Sequence, residues 1–125
     1  MEHGASAAAG RLTTHVLDLS TGAPAAGLEI ELFRIEGGRY EHLIAVLTNA
    51  DGRCDKPLLA GSEMVRGVYE LLSHVGLYFK QNGLKLPEPA FLDLVPIRFG
   101  IAEPDRHYHV PLLVAPYGFS TYCGS

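Results

Sequence analysis

Hydrophobic and polar residues alternate along most of the chain in short segments, and turn sequences separate these segments. In GLEIELFRI, one face of an extended strand carries Leu28, Ile30 and Leu32, and the other carries Glu29 and Glu31. RLTTHVLDL, YEHLIAVLTN and RGVYELLSHV have a similar rhythm, interrupted by TGAPAAG, EGGR, NADG and EPDR. Because this spacing is typical of all-β domains, it predicts a two-sheet β-sandwich of seven to eight strands.

Three other segments refine that prediction. GLYFKQNG has a glycine at each end and room for only one short helix. AFLDLVPIRFGI contains Pro96, which cannot donate a backbone hydrogen bond and so favours an edge strand or a bulge. HYHVPLLVAPYGFSTYCGS predicts two final strands joined by the turn Ala-Pro-Tyr-Gly.

The alternating pattern begins near Arg11. Residues 1–10 are small and polar, and their alanine-rich stretch has nothing to pack against, so we expect a disordered N-terminal tail. One domain is expected over residues 11–125. A chain of 125 residues is long enough to bury a hydrophobic core without a metal or a disulfide.

Composition narrows the class of partner. The formal net charge is −4 and the ten lysines and arginines are scattered, so we expect no nucleic-acid partner. No apolar run reaches the length of about 20 residues needed to span a bilayer, and the N-terminus lacks the basic and apolar regions of a secretory signal. We therefore expect no membrane association and a cytoplasmic protein in which Cys54 and Cys123 are free thiols.

Histidines carry the candidate chemistry. His15 lies in THVLD, where a half-buried, hydrogen-bonded histidine would be the ordinary structural interpretation. His107 and His109 lie two residues apart in HYH and therefore project from the same side of a strand, as a metal-binding or titrating pair would. No third ligand is visible at a suitable position, so no metal site and no cofactor are predicted. Two histidines lack motif support and are assigned structural roles: His42 and His74.

Four segments together resemble the 5-hydroxyisourate hydrolases, which share the fold of the thyroid-hormone carrier transthyretin but act on a purine. The matching pieces are THVLDLSTGAPAAGLEIELFRI, TNADGRC, GLYFKQNG with FLDLVPIRFGI, and HYHVPLLVAPYGFSTYCGS. They cover nearly all of residues 11–125. The resemblance implies cofactor-free hydrolysis of 5-hydroxyisourate to 2-oxo-4-hydroxy-4-carboxy-5-ureidoimidazoline in urate catabolism.

The resemblance also assigns site residues. It implies a catalytic set of His15, Arg53, His109 and Ser125, which would meet in a channel between the subunits of a homotetramer. The sheet with the first and last two strands would face that channel. We hypothesise that His15 or His109 deprotonates the attacking water, while the other holds the substrate or protonates the ring nitrogen.

Substrate binding is the second role of this set. Arg53 would bind an anionic, planar substrate through its fork of donors, although without the resemblance it would be interpreted as a solvated residue beyond a turn. Ser125 is also expected to contact the substrate. Tyr122 and His107 complete the candidates, with packing and surface roles as their respective alternatives.

One position departs from the family pattern. The family usually closes on Tyr-Arg-Gly-Ser, and here Cys123 replaces the arginine. The loss of that cation is expected to lower activity or tetramer stability. Cys123 is either a tolerated substitution or, in a sharper hypothesis, a nucleophile.

A different class of function stays open beside the enzyme. A transthyretin-like protein can use the same channel to hold a small planar ligand without chemistry. A pure binder has no need for His15, Arg53, His109 and Ser125 together, so the sequence favours the hydrolase.

Overall fold

The structure, a computed structural model, describes residues 10–124. Ser125 and residues 1–9 of the expected tail lie outside the described residues. Gly10, the first described residue, is buried. Among the described residues, a 3-10 turn spans Gly61–Glu63 and the α-helix α1 spans Val75–Gln81. The strands within residues 10–124 are β1 (Arg11–Thr13), β2 (Val16–Asp18), β3 (Ala23–Pro24), β4 (Glu29–Glu36), β5 (Arg39–Leu47), β6 (Leu59–Ala60), β7 (Gly67–His74), β8 (Leu94–Ile101), β9 (His107–His109), β10 (Leu112–Ala115) and β11 (Gly118–Thr121).

The strands form two layers. One layer is the antiparallel sheet β5-β4-β7-β8, and the other contains the groups β6-β1-β9 and β11-β10-β2-β3. The two groups join because β9 and β10 pair with β1 and β2 in one unbroken parallel register. Across the join, Val110 N–H donates to the Thr13 carbonyl at 2.9 Å and Leu112 N–H donates to the His15 carbonyl at 2.9 Å. The predicted all-β sandwich is therefore confirmed.

The strands outnumber the seven to eight predicted because two long segments each divide in two. HYHVPLL divides at Val110 and Pro111, and Pro111 has no N–H to donate toward the C-terminal segment, which pairs with His109 and again from Leu112. RLTTHVLDL divides opposite that point, where the Thr14 hydroxyl donates to the Val110 carbonyl at 2.7 Å. Two further strands, β3 and β6, have only two residues each and are too short to show a period in the sequence.

The alternation in β4 places the core as predicted. Leu28, Ile30 and Leu32 are completely or almost completely buried, and Glu29 and Glu31 lie on the opposite face. Burying each such aliphatic side chain stabilises the fold by about 1.5–3 kcal/mol. Apolar residues from the other layer and from α1 complete the same cluster, among them Leu12, Val16, Phe79, Leu112 and Val114.

The predicted short helix is confirmed as α1, and it is tied to the layer that contains His15. Its Tyr78 hydroxyl donates to Asp18 Oδ2 at 2.8 Å, inside the protein. Burial and the neighbouring Asp18 carboxylate raise the pKa of Tyr78 to about 12. Pro96 lies on β8, an edge strand, as its missing donor predicted.

Candidate active site

Backbone pairing brings His15 and Arg53 together. His15 lies between β1 and β2, and it forms an isolated antiparallel bridge with Arg53, which follows β5. Beside this bridge, Val16 N–H donates to the Gly52 carbonyl at 2.8 Å. Two residues far apart in the sequence are thus fixed side by side through their main chains.

The Asn-Ala-Asp-Gly turn presents Arg53 in this position. The Asn49 side-chain oxygen accepts hydrogen bonds from Asp51 N–H at 2.9 Å and from Arg53 N–H at 3.1 Å. Gly52 has a positive φ of 72°, and a Cβ there would lie 2.4 Å from the Val16 carbonyl oxygen. Only glycine allows this conformation together with this close approach.

His109 lies at the end of β9, directly opposite Thr13 in the parallel pairing with β1. The C-terminal segment packs against it, because Gly124 N–H donates to the His109 carbonyl at 2.7 Å. A Cβ at Gly124 would come within 2.9 Å of His109 Cδ2. The position of the His109 ring therefore depends on the absence of a side chain at Gly124.

The predicted same-side projection of His107 and His109 is confirmed, and one hydroxyl joins the two rings. Thr13 Oγ1 lies 2.9 Å from His107 Nε2 and 2.8 Å from His109 Nδ1. His107 is exposed and His109 is half-buried. Within residues 10–124, no third histidine, cysteine or carboxylate lies close enough to this pair to complete a metal site.

Arg53, His107 and His109 line an open cleft of about 380 Å³, a volume in the range of small-molecule sites. His15 is paired with Arg53 but is not among the residues that line the cleft. Three cationic side chains line it, and none of the described lining residues is a carboxylate. Such a surface attracts an anionic ligand. The lining residues are Arg11, Thr13, Thr14, Arg53, Cys54, Lys56, His107 and His109.

Its surroundings keep the His109 ring neutral. Burial is the main cause that lowers the pKa of His109, and the positive charge of Arg53 lowers it further. Partial charges on His107 and His15 act in the same direction. A neutral imidazole can accept a proton from a bound water, which is the property that a general base requires.

The two cysteines differ in their relation to the cleft. Cys54 lines it, but burial and the charge of Asp55 raise the pKa of the Cys54 thiol, so this residue stays protonated. Cys123 is exposed beside Gly124, and both cysteines are free. Tyr122 is 61% exposed, and Ser125 lies outside the described residues.

Sequence reasoning missed five residues of the cleft: Arg11, Thr13, Thr14, Cys54 and Lys56. Thr13 and Arg11 are separated from His15 by two and four positions, so strand alternation could have placed them on its face. Lys56 follows Arg53 in a segment without regular structure, and no pattern in the sequence indicates its direction.

The two histidines assigned structural roles lie on the other sheet. Glu31 Oε2 is 2.7 Å from His74 Nε2, and Glu31 Oε1 is 3.1 Å from His42 Nε2. The hydrogen bond from His74 is the main cause that lowers the pKa of Glu31. Glu29, Glu31 and His74 offer ligand atoms within 4.8 Å of one another, but the Glu31 and His74 atoms are already bonded to each other.

No helix among residues 10–124 has both the length and the apolar character needed to cross a membrane.

Histidines and cations surround an open cleft on this β-sandwich. The fold and the cleft together define a β-sandwich protein with a small-molecule site. Comparison with known proteins gives the family. The model of the HIUase/Transthyretin family matches residues 12–124, and the chain belongs to that family. The resemblance inferred from the sequence is confirmed.

Individual relatives agree. The 5-hydroxyisourate hydrolase of Mesorhizobium japonicum is 65% identical over 93% of this chain and 93% of its own length. The structure of Klebsiella pneumoniae 5-hydroxyisourate hydrolase matches with a TM-score of 0.77 and 38% identity, over 93% of this chain and 99% of that one. An (S)-allantoin synthase matches 94% of this chain with a TM-score of 0.89 and 45% identity, and this chain spans 44% of that protein.

Proposed function

We propose that this protein hydrolyses 5-hydroxyisourate to 2-oxo-4-hydroxy-4-carboxy-5-ureidoimidazoline, without a cofactor. The observation that carries the proposal is that Arg53 and His109 line one cation-lined cleft, with His15 paired to Arg53 through the backbone beside it. Relatives named 5-hydroxyisourate hydrolase cover nearly the whole chain at high identity, which supports the same reaction.

His109 acts as the general base in this proposal. It takes a proton from water, whose oxygen adds to the ring carbonyl carbon. The carbon–nitrogen bond of the six-membered ring then breaks, and the departing nitrogen takes a proton from an imidazolium. One water is consumed, and the product carries a new carboxylate. The lowered pKa of His109 supports this assignment, because the ring is neutral when the substrate arrives.

The remaining residues bind and orient the substrate. Arg53 holds the anionic ring and stabilises the oxyanion that develops during attack. His15, fixed beside Arg53 by the backbone bridge, holds the substrate or protonates the departing nitrogen. Ser125 follows Gly124 in the sequence, and the packing of Gly124 against His109 supports a role for the Ser125 hydroxyl. Tyr122 and His107 contribute further contacts to the substrate.

The site works within a homotetramer, in which a second subunit closes the open cleft. Two edge strands, β8 and β11, support this assembly because aromatic side chains are exposed beside them. Phe91 is 69% exposed and Tyr117 is 64% exposed, and their ring centroids are 5.8 Å apart. A cytoplasmic location is part of the proposal and is supported by the two free thiols.

The alternative is a transthyretin-like protein that binds a small planar ligand without chemistry. The lowered pKa of His109 and the pairing of His15 with Arg53 support the enzyme instead, because binding alone needs neither a neutral base nor an arginine beside a histidine.

The decisive experiment generates 5-hydroxyisourate in situ with urate oxidase and follows its decay by ultraviolet absorbance. The protein is expected to accelerate the decay, and a decay no faster than the spontaneous one would refute the proposal. His109→Ala is expected to lower kcat by about 100-fold or more, the usual contribution of general acid–base catalysis. Arg53→Ala is expected to raise KM and lower kcat.

A matched control separates chemistry from folding. His42→Ala removes a histidine from the other sheet and is expected to leave turnover unchanged. Wild-type rates in both His109→Ala and Arg53→Ala would mean that the site is misplaced.

A further inference from the structure

The Thr13 hydroxyl is held between two histidine rings. It is 2.9 Å from His107 Nε2 and 2.8 Å from His109 Nδ1, both within hydrogen-bond distance. The contact is built into the fold, because β1 pairs with β9 and Thr13 lies directly opposite His109. His107 and His109 project from the same side of β9, so one side chain on the neighbouring strand reaches both rings.

A hydroxyl has one proton, and this limits how the three groups can bond. With both rings neutral, Thr13 donates to one ring nitrogen and accepts from the other. In the first arrangement His109 Nδ1–H donates to Thr13 and Thr13 donates to His107 Nε2. In the second, His107 Nε2–H donates to Thr13 and Thr13 donates to His109 Nδ1. The two arrangements place opposite tautomers on His109.

The two tautomers have different chemistry. In the first arrangement His109 Nε2 keeps its lone pair, and this nitrogen has no hydrogen-bond partner among the described residues. In the second, Nε2 carries the proton and cannot accept another. Only the first arrangement makes His109 a general base.

We propose that Thr13 is a positioning residue that holds His109 in its Nδ1–H tautomer, while His107 accepts the hydrogen bond from the Thr13 hydroxyl. The inference rests on the proposed function in one respect, the role of His109 as base. It gives His107 a role other than substrate contact. The His107 Nε2 lone pair accepts the hydrogen bond of the Thr13 hydroxyl, so Thr13 must accept a hydrogen bond from His109.

Nitrogen NMR of the histidine rings tests the tautomer directly. On uniformly labelled wild-type protein at about pH 8, where an ordinary histidine is neutral, His109 is expected to show a protonated Nδ1 and an unprotonated Nε2. An Nε2–H tautomer in the wild-type protein overturns the proposal. This measurement uses neither substrate nor a variant, so it stands whether or not the protein proves to be a hydrolase.

Two variants test the role of the hydroxyl. Thr13→Val keeps the shape and the β-branch but removes the hydroxyl, so the His109 signals are expected to move toward the Nε2–H form that free histidine prefers. kcat is expected to fall by about 10- to 100-fold, the scale seen when a partner that orients a functional histidine is lost. Thr13→Ser keeps a hydroxyl and is expected to retain the tautomer and most of the activity.

The outcomes separate the two proposals. Unchanged His109 signals in a folded Thr13→Val protein, or equal losses of activity in Thr13→Val and Thr13→Ser, would overturn the positioning role. An Nδ1–H tautomer in a protein that does not accelerate 5-hydroxyisourate decay would refute the hydrolase and leave the role of Thr13 in place.

Discussion

At the scale of single residues, the proposed mechanism depends on His109 staying neutral. Burial alone lowers its pKa, and the nearby guanidinium of Arg53 adds to the effect because a positive charge disfavours the imidazolium. In the proposed mechanism Arg53 therefore has two roles: it attracts an anion, and it helps to keep His109 unprotonated.

This double role predicts a shift in titration. Arg53→Gln removes the positive charge, so the pKa of His109 is expected to rise and the ring to be protonated at higher pH than in the wild-type protein. NMR titration of the His109 ring measures this without any dependence on turnover. Where activity survives, its acidic limit should move to higher pH in the same direction.

Arg39→Gln, on β5 and outside the cleft, is the matched control because it changes the net charge by the same amount. An equal shift in both variants would mean that net charge, and not the position of Arg53, sets the pKa of His109.

The same scale shows what the sequence could predict about the site. His107 and His109 stood out from their spacing, whereas His15 and Arg53 were assigned through the family resemblance; the structure pairs His15 with Arg53 and joins His107 to His109 through Thr13. The contact of Thr13 with two rings was not predictable, because it requires β1 to lie beside β9, a neighbour relation that no local pattern encodes.

At the scale of elements, the turn that holds Arg53 is under the tightest steric limit in the site. Gly52 combines a left-handed backbone with contact to the Val16 carbonyl, whereas Gly27 has a similar φ of 75° with nothing within 4 Å of a Cβ. Comparing alanine at the two positions separates the free-energy cost of the left-handed backbone from the cost of the steric clash with the Val16 carbonyl.

Replacing each glycine by alanine is expected to have a different effect on stability. Gly27→Ala should lower the free energy of unfolding by about 1–2 kcal/mol, the cost of a left-handed residue. Gly52→Ala should lower it by about 1–3 kcal/mol more, because the strand or the turn must also move. Urea denaturation at one protein concentration measures both. Equal losses would show that the turn absorbs the extra atom without strain.

Long periodic elements were predictable and short ones were not. The strand pattern identified β4, β5, β7 and β8, together with α1. The division of β1 from β2 was not visible, because it lies where the Thr14 hydroxyl bonds to Val110, a residue from the far end of the chain.

At the scale of the whole molecule, the edge strands of both layers carry exposed hydrophobic residues. Phe119 on β11 and Leu94 on β8 are exposed hydrophobic residues on edge strands of the two layers. Edge strands with apolar side chains favour association with another chain.

A charge on this edge is expected to weaken the assembly. Phe119→Glu should shift the protein to smaller species in sedimentation velocity and should lower activity with it, because desolvating a carboxylate in an apolar interface is costly. Leu77→Glu, at an exposed position of α1, is the control and should leave the assembly unchanged. An unaltered sedimentation coefficient in Phe119→Glu would place the interface elsewhere.

The parallel pairing of β1 with β9 also has a kinetic consequence. Thr13 and His109 are separated by 96 positions, so their contact closes almost the whole chain into a loop. Contacts of such high sequence separation form slowly, because the entropy of loop closure opposes them before any packing repays it. The β4–β5 hairpin can form while synthesis is still in progress, but the histidines meet only after β9 has left the ribosome. Catalytic competence is therefore expected to be among the last properties that the folding chain acquires.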